Sequence, residues 1–157
     1  MNHNLTYFFQ LFCLSVVQCG KVCLSLLGTW GGGVGEGWSA QNSTLLQVCV
    51  SIQSLIFVEQ PWANEPSYEQ QLGTPAGHAA CVEYNRPLYL ATTQWAMLDQ
   101  LRNPPKGFEQ VVRAHFALKK DAILAQLADW AKLNAEVKPL IDEMKIELDK
   151  LPSPAEL

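Results

Sequence analysis

Apolar positions recur at helical spacing through most of this chain beyond residue 42. Leu45, Val48, Cys49, Ile52, Leu55 and Ile56 form one such series, with Gln47, Ser51 and Ser54 on the other side. Asn42 or Ser43 can cap it, which predicts a helix from about Asn42 to Val58 with Cys49 in its core stripe. The pattern then lapses. Glu59 to Arg86 holds Pro61, Pro66, Gly73, Pro75 and Gly77 and reads as a long irregular stretch, which places Cys81 beside a loop and partly exposed. Helical spacing returns from Pro87 to Leu101 through Leu88, Ala91, Trp95 and Leu98, and Pro104-Pro105 stops it. Three further series follow: Phe108 to Ala117, Asp121 to Asn134, and Val137 to Leu151.

The first third behaves differently. Tyr7 to Val17 mixes aromatic and β-branched residues, and periodicity does not separate strand from helix there. Val22 to Leu27 is extended or a single helical turn, and Gly28 to Gly37 must be a loop. That loop has no Gly-Lys-Ser/Thr, so it is a connector rather than a phosphate cradle. Leu5 to Val17 is apolar but shorter than the roughly 20 residues a membrane-spanning helix needs. From Met1 to Val58 the only charged side chains are Lys21 and Glu36.

Charge and cysteine usage narrow the function classes. A formal net charge of −4 argues against broad attraction to nucleic acid or anionic lipid. The cysteines are Cys13, Cys19, Cys23, Cys49 and Cys81, an odd number without paired spacing. That pattern favours reduced thiols and a cytoplasmic or nuclear setting. His3, His78 and His115 are scattered, so no metal site is expected.

One segment carries chemistry. Gly20-Lys21-Val22-Cys23-Leu24-Ser25-Leu26-Leu27-Gly28-Thr29-Trp30, with Trp38 beyond the glycine loop, resembles the active-site segment of ubiquitin-conjugating enzymes, especially the large BRUCE/Apollon type. The resemblance continues through Ser43 to Val58, Pro61 to Glu69, Gly73-Thr74-Pro75, Tyr84-Asn85, Trp95 to Leu98, Arg102-Asn103-Pro104 and Phe108 to Leu118. It covers residues 20–130. It divides the chain into an unmatched apolar segment (1–19), a partial conjugating core (20–134) and a C-terminal helix and tail (135–157).

The resemblance implies an α+β fold of the conjugating-enzyme type. Here the expectation is mostly α, because the family's first helix and antiparallel sheet precede the cysteine and few residues do so in this chain. On that ground the chain is expected to be N-terminally shortened. The resemblance further implies that Cys23 carries ubiquitin as a thioester and passes it to a lysine of a protein substrate. Asn64 and Glu65 are the implied acceptor-loop candidates. The implied partners are ubiquitin, a ubiquitin-activating enzyme, a protein substrate and a ubiquitin ligase, with no bound cofactor. The family's His-Pro-Asn motif falls on Cys13, Leu14 and Ser15, which weighs against full activity. A catalytically inactive conjugase variant and a helical protein-interaction module therefore stay open beside the enzyme.

Overall fold

A computed structural model describes residues 22–64 and 67–153. Among them the fold is helical, and the nearest approach to a strand is a single bridge residue, Val22. The mostly helical expectation holds for these residues, whereas Tyr7 to Val17 lies outside them. Spatial proximity divides the chain into two compact units, Met1–Asn85 and Arg86–Leu157.

In the first unit, Leu24 is extended (φ −139°, ψ 136°) and leads into one 3-10 turn, Ser25–Leu27. Gly28 closes that turn at φ 64°, a left-handed conformation that glycine adopts without a Cβ penalty. The glycine loop follows. Helix α1 spans Leu45–Leu55. It is capped by Thr44 rather than Asn42 or Ser43. The Thr44 hydroxyl accepts the Gln47 N–H, and the Gln47 side chain accepts the Thr44 N–H in return. The helix ends well before Val58.

Of the apolar residues at this helix, Val48, Ile52 and Ile56, four residues apart, are the ones that are not exposed. Val48 and Ile56 are buried, and Ile52 packs against the Leu24–Ile56 cluster. Leu45, Cys49 and Leu55 lie off that narrow stripe and are exposed, so Cys49 is not a core residue.

The stretch from Glu59 to Arg86 is more regular than its prolines and glycines suggest. Short 3-10 turns occupy Pro61–Asn64 and Glu69–Gln71, and α2 then runs over Pro75–Ala91. Its start has a local cause. Thr74 accepts the Gly77 N–H through its hydroxyl (3.0 Å), and Pro75 supplies the first helical residue, where a missing N–H costs nothing. Pro87 sits inside this helix instead of opening one. Cys81 is consequently mid-helix and buried, not loop-side and half-exposed.

The second unit takes the last part of α2. A π-helical segment follows at Thr92–Leu98, then α3 at Asp99–Arg102. Helix α4 spans Glu109–Leu133 without interruption. The two series expected before and after Lys119 are one helix, because nothing between Ala117 and Asp121 breaks it. A 3-10 turn at Ala135–Val137 passes into α5, Lys138–Leu148. Leu98, Phe116, Ile123, Leu127, Ala131, Val137, Met144 and Leu148 form the core. Tyr89 stacks on Trp130 with ring centroids 4.9 Å apart. Arg102 bridges Glu143 and Glu147 of α5, each at 2.9 Å.

Candidate functional site

Cys23 is half-buried and lies between two apolar residues that both pack inward. Leu24 is buried with Ile56, and Val22 packs against the same cluster. Side chains alternate along an extended chain, so Cys23 turns away from the cluster its neighbours build. The segment thus anchors on α1 through Val22 and Leu24 and leaves the thiol on the other side.

Thr29 closes the turn that follows. Its Oγ1 accepts the Leu24 N–H at 3.0 Å. The same hydroxyl lies against the carbonyls of Val22 and Leu24, so its single proton serves these acceptors. The Thr29 N–H donates to the Leu24 carbonyl at 3.2 Å. Peptide groups on both sides of Cys23 are therefore tied to one side chain.

The glycine loop folds back toward this turn. A Cβ placed on Gly32 would lie 2.7 Å from the Ser25 Cβ and 2.8 Å from Glu36 Oε2. Glycine is required there because the backbone is wedged between the cysteine turn and the Glu36 carboxylate. Trp30 and Trp38 are largely exposed rather than packed around the cysteine loop.

Asn64 is exposed, and its amide donates to the Leu55 carbonyl at the end of α1. Leu24 packs at that same end through Ile56, so one helix terminus organises both the cysteine turn and the Asn64 loop. Trp62 and Tyr68 stack across the loop with ring centroids 4.5 Å apart and planes 15° from parallel. Glu65 and Ser15 lie outside the described residues. Asn85 reaches back from α2 to the Glu59 carbonyl at 2.7 Å and fixes the other end of the segment.

The remaining described thiols differ in kind. Cys49 is exposed on α1. Cys81 is buried against a cleft of about 420 Å³ lined by Gln60, Leu72, Thr74 and His78. Burial pushes its thiol pKa up, away from the nucleophilic form. No group of metal-ligating side chains occurs among the described residues, and none of their helices is long and apolar enough to cross a membrane.

The chain is 50% identical over 111 residues, 71% of its length, to the dual ubiquitin-conjugating enzyme and ubiquitin-protein ligase BIRC6 of Homo sapiens. Over that span it is homologous to proteins named as ubiquitin-conjugating enzymes. A probable ubiquitin-conjugating enzyme of Acanthamoeba polyphaga mimivirus is 41% identical over 137 residues, 84% of this chain. A probable ubiquitin-conjugating enzyme protein of Caenorhabditis elegans is 45% identical over 111 residues. The chain spans 2%, 10% and 15% of the lengths of these three relatives. No family model matches it.

The resemblance singles out Cys23 as a candidate and gives Thr29 no role. The spacing of a hydroxyl residue six positions after the cysteine means nothing until the Ser25–Leu27 turn brings it back. Glu36 was legible as an isolated charge, and its approach to Gly32 becomes apparent only in the folded loop.

Proposed function

We propose that this chain is a ubiquitin-conjugating segment in which Cys23 accepts ubiquitin as a thioester and passes it to a lysine amine. Similarity to ubiquitin-conjugating enzymes at 41–50% identity carries the reading. The orientation of Cys23 away from the Leu24–Ile56 cluster supports it. The chain's fold is of the α+β conjugating-enzyme type, here mostly α. Its partners are ubiquitin, the activating enzyme, a protein substrate and a ligase, and it works in the cytoplasm or nucleus without a bound cofactor.

The chemistry needs a thiolate and an open approach. The Cys23 sulfur attacks the carbonyl carbon of the thioester on the activating enzyme. A new S–C bond forms, and the activating enzyme's cysteine leaves as a thiolate. The acceptor amine then attacks the same carbon. An N–C bond forms, the Cys23 thiolate departs, and the amine proton passes to solvent. Asn64 and Glu65 belong to the loop that receives the acceptor.

Incubation with ubiquitin, activating enzyme and ATP tests the reading. A ubiquitin adduct that thiol reductant removes is expected. Cys23→Ser converts it to a reductant-resistant ester, while Cys49→Ser leaves the thioester in place. Absence of any adduct on Cys23 would favour the second reading, a conjugase-derived binding module without thioester chemistry. Ser15 at the asparagine position of His-Pro-Asn is the observation behind that alternative.

A further inference from the structure

We propose that Thr29 is a positioning residue for Cys23, whose hydroxyl fixes the direction of the thiol by holding the peptide groups on both sides of it. The proposal rests on reading Cys23 as the acyl carrier. The Leu24 N–H reaches Thr29 Oγ1 at 3.0 Å, and the hydroxyl lies against the Val22 carbonyl. One oxygen thus restrains the residue before the cysteine and the residue after it. The Thr29 backbone adds a third tie, N–H to the Leu24 carbonyl at 3.2 Å.

The residue type suits the task. A hydroxyl donates once and accepts twice, so it can serve an N–H and a carbonyl together. Lysine and arginine cannot accept, and an ionised carboxylate cannot donate. The β-branch of threonine also stiffens χ1. The Gly28 turn, at φ 64°, returns the chain so that Thr29 faces Val22 and Leu24. The flanking side chains are anchored independently in the Leu24–Ile56 cluster. Thr29 therefore sets the local orientation of the Cys23 turn rather than the existence of the fold.

Orientation matters because the donor is another protein, held at a fixed distance by its own docking. A displacement of about 1 Å in such a reaction costs on the order of 100-fold. A small alkylating reagent has no such demand and benefits from a looser, more open thiol. Loss of the hydroxyl should therefore move the two reactions in opposite directions.

The test uses the full chain with Thr29→Val, which keeps the shape, and Thr29→Ser, which keeps the hydroxyl. Iodoacetamide labelling is followed separately at Cys23, Cys49 and Cys81 by peptide mass spectrometry, and ubiquitin loading is followed in parallel. Thr29→Val should raise Cys23 labelling about threefold or more and lower the loading rate about tenfold or more. Cys49 and Cys81 labelling should stay as in the unaltered chain, and Thr29→Ser should restore both Cys23 rates to within about twofold. Equal Cys23 labelling in the valine variant and the unaltered chain overturns the proposal. So does a rise at Cys23 matched by one at buried Cys81, which marks general loosening, or a serine variant that behaves like valine. Failure of the unaltered chain to load ubiquitin removes the thioester reading, and the labelling comparison still decides the role of Thr29.

Discussion

Burial separates the described thiols at the scale of single residues. Cys81 is 4% exposed, and its pKa is raised by desolvation, whereas Cys49 stands in solvent on α1. The thiolate is the nucleophile that attacks a thiol reagent, so both burial and a raised pKa protect Cys81. In the folded chain Cys49 should label at least about tenfold faster than Cys81, and denaturant should erase the difference. Comparable rates in the native chain would contradict the placement of α2.

A second residue-scale case is Glu147. Its pKa is held below the usual carboxylate value, first by the hydrogen bond from Lys150 and then by that from Arg102. A depressed folded pKa contributes stability that is present above the unfolded value, about 4.3, and is lost as pH falls through the folded one. Arg102 is 42% exposed, so solvent screening limits each pair to about 1 kcal/mol or less. Arg102→Gln should lower the urea midpoint modestly at neutral pH, and the deficit should fade below about pH 4. A deficit that persists undiminished in acid would show that packing, not charge, is responsible.

At the scale of elements, the start of α2 is the sharpest case. A Cβ on Gly77 would lie 2.0 Å from the Gln71 carbonyl oxygen, a backbone atom with no rotamer to yield. Gly77→Ala should destabilise the first unit by about 2 kcal/mol or more, although alanine is the better helix former. A neutral or stabilising outcome in chemical denaturation would show that the Glu69–Gln71 turn is not held against the helix. The same element explains what the sequence hid. Thr74-Pro75 is a helix start, with a capping hydroxyl and a proline at the first position, yet it sits among turn residues and reads as more loop. The fusion of two expected helices into α4 has the opposite cause, since the sequence there contains no stop signal to justify a boundary. The apolar stripe of α1 was visible, but which of its members were buried depended on the width of the facing surface, where Leu24 and Val22 pack among the described residues. The candidate site follows the same rule. Cys23 stands out as a candidate because its neighbours resemble a family segment, whereas Thr29 depends on a turn closing and on hydrogen bonds that periodicity does not encode.

The two units of the whole molecule differ in how much apolar surface they enclose. The second gathers Leu127, Val137, Met144 and Leu148, each at most 1% exposed, into one core with Leu98 and Phe116. Among its described residues the first has the small Leu24–Ile56 cluster, and on and just after α1 Leu45, Leu46, Val50, Leu55 and Phe57 are all more than half exposed. Burial of apolar side chains supplies about 1.5–3 kcal/mol each, so local stability should follow this difference. Amide hydrogen exchange should find the slowest amides in α4 and α5, with α1 exchanging at least about tenfold faster, a gap of about 1.4 kcal/mol in opening free energy. Leu127→Ala should cost about 2–5 kcal/mol and accelerate exchange throughout α4 and α5. Its effect on α1 decides whether the units open together. If α1 amides accelerate in step with α4, the chain unfolds as one cooperative body. If they do not respond, the cysteine-bearing unit opens independently, and the Thr29 ties become a main determinant of how long the Cys23 turn stays formed. An α1 as protected as α4 in the unaltered chain would overturn the ranking, because the apolar surface it leaves exposed could not then be the measure of its stability.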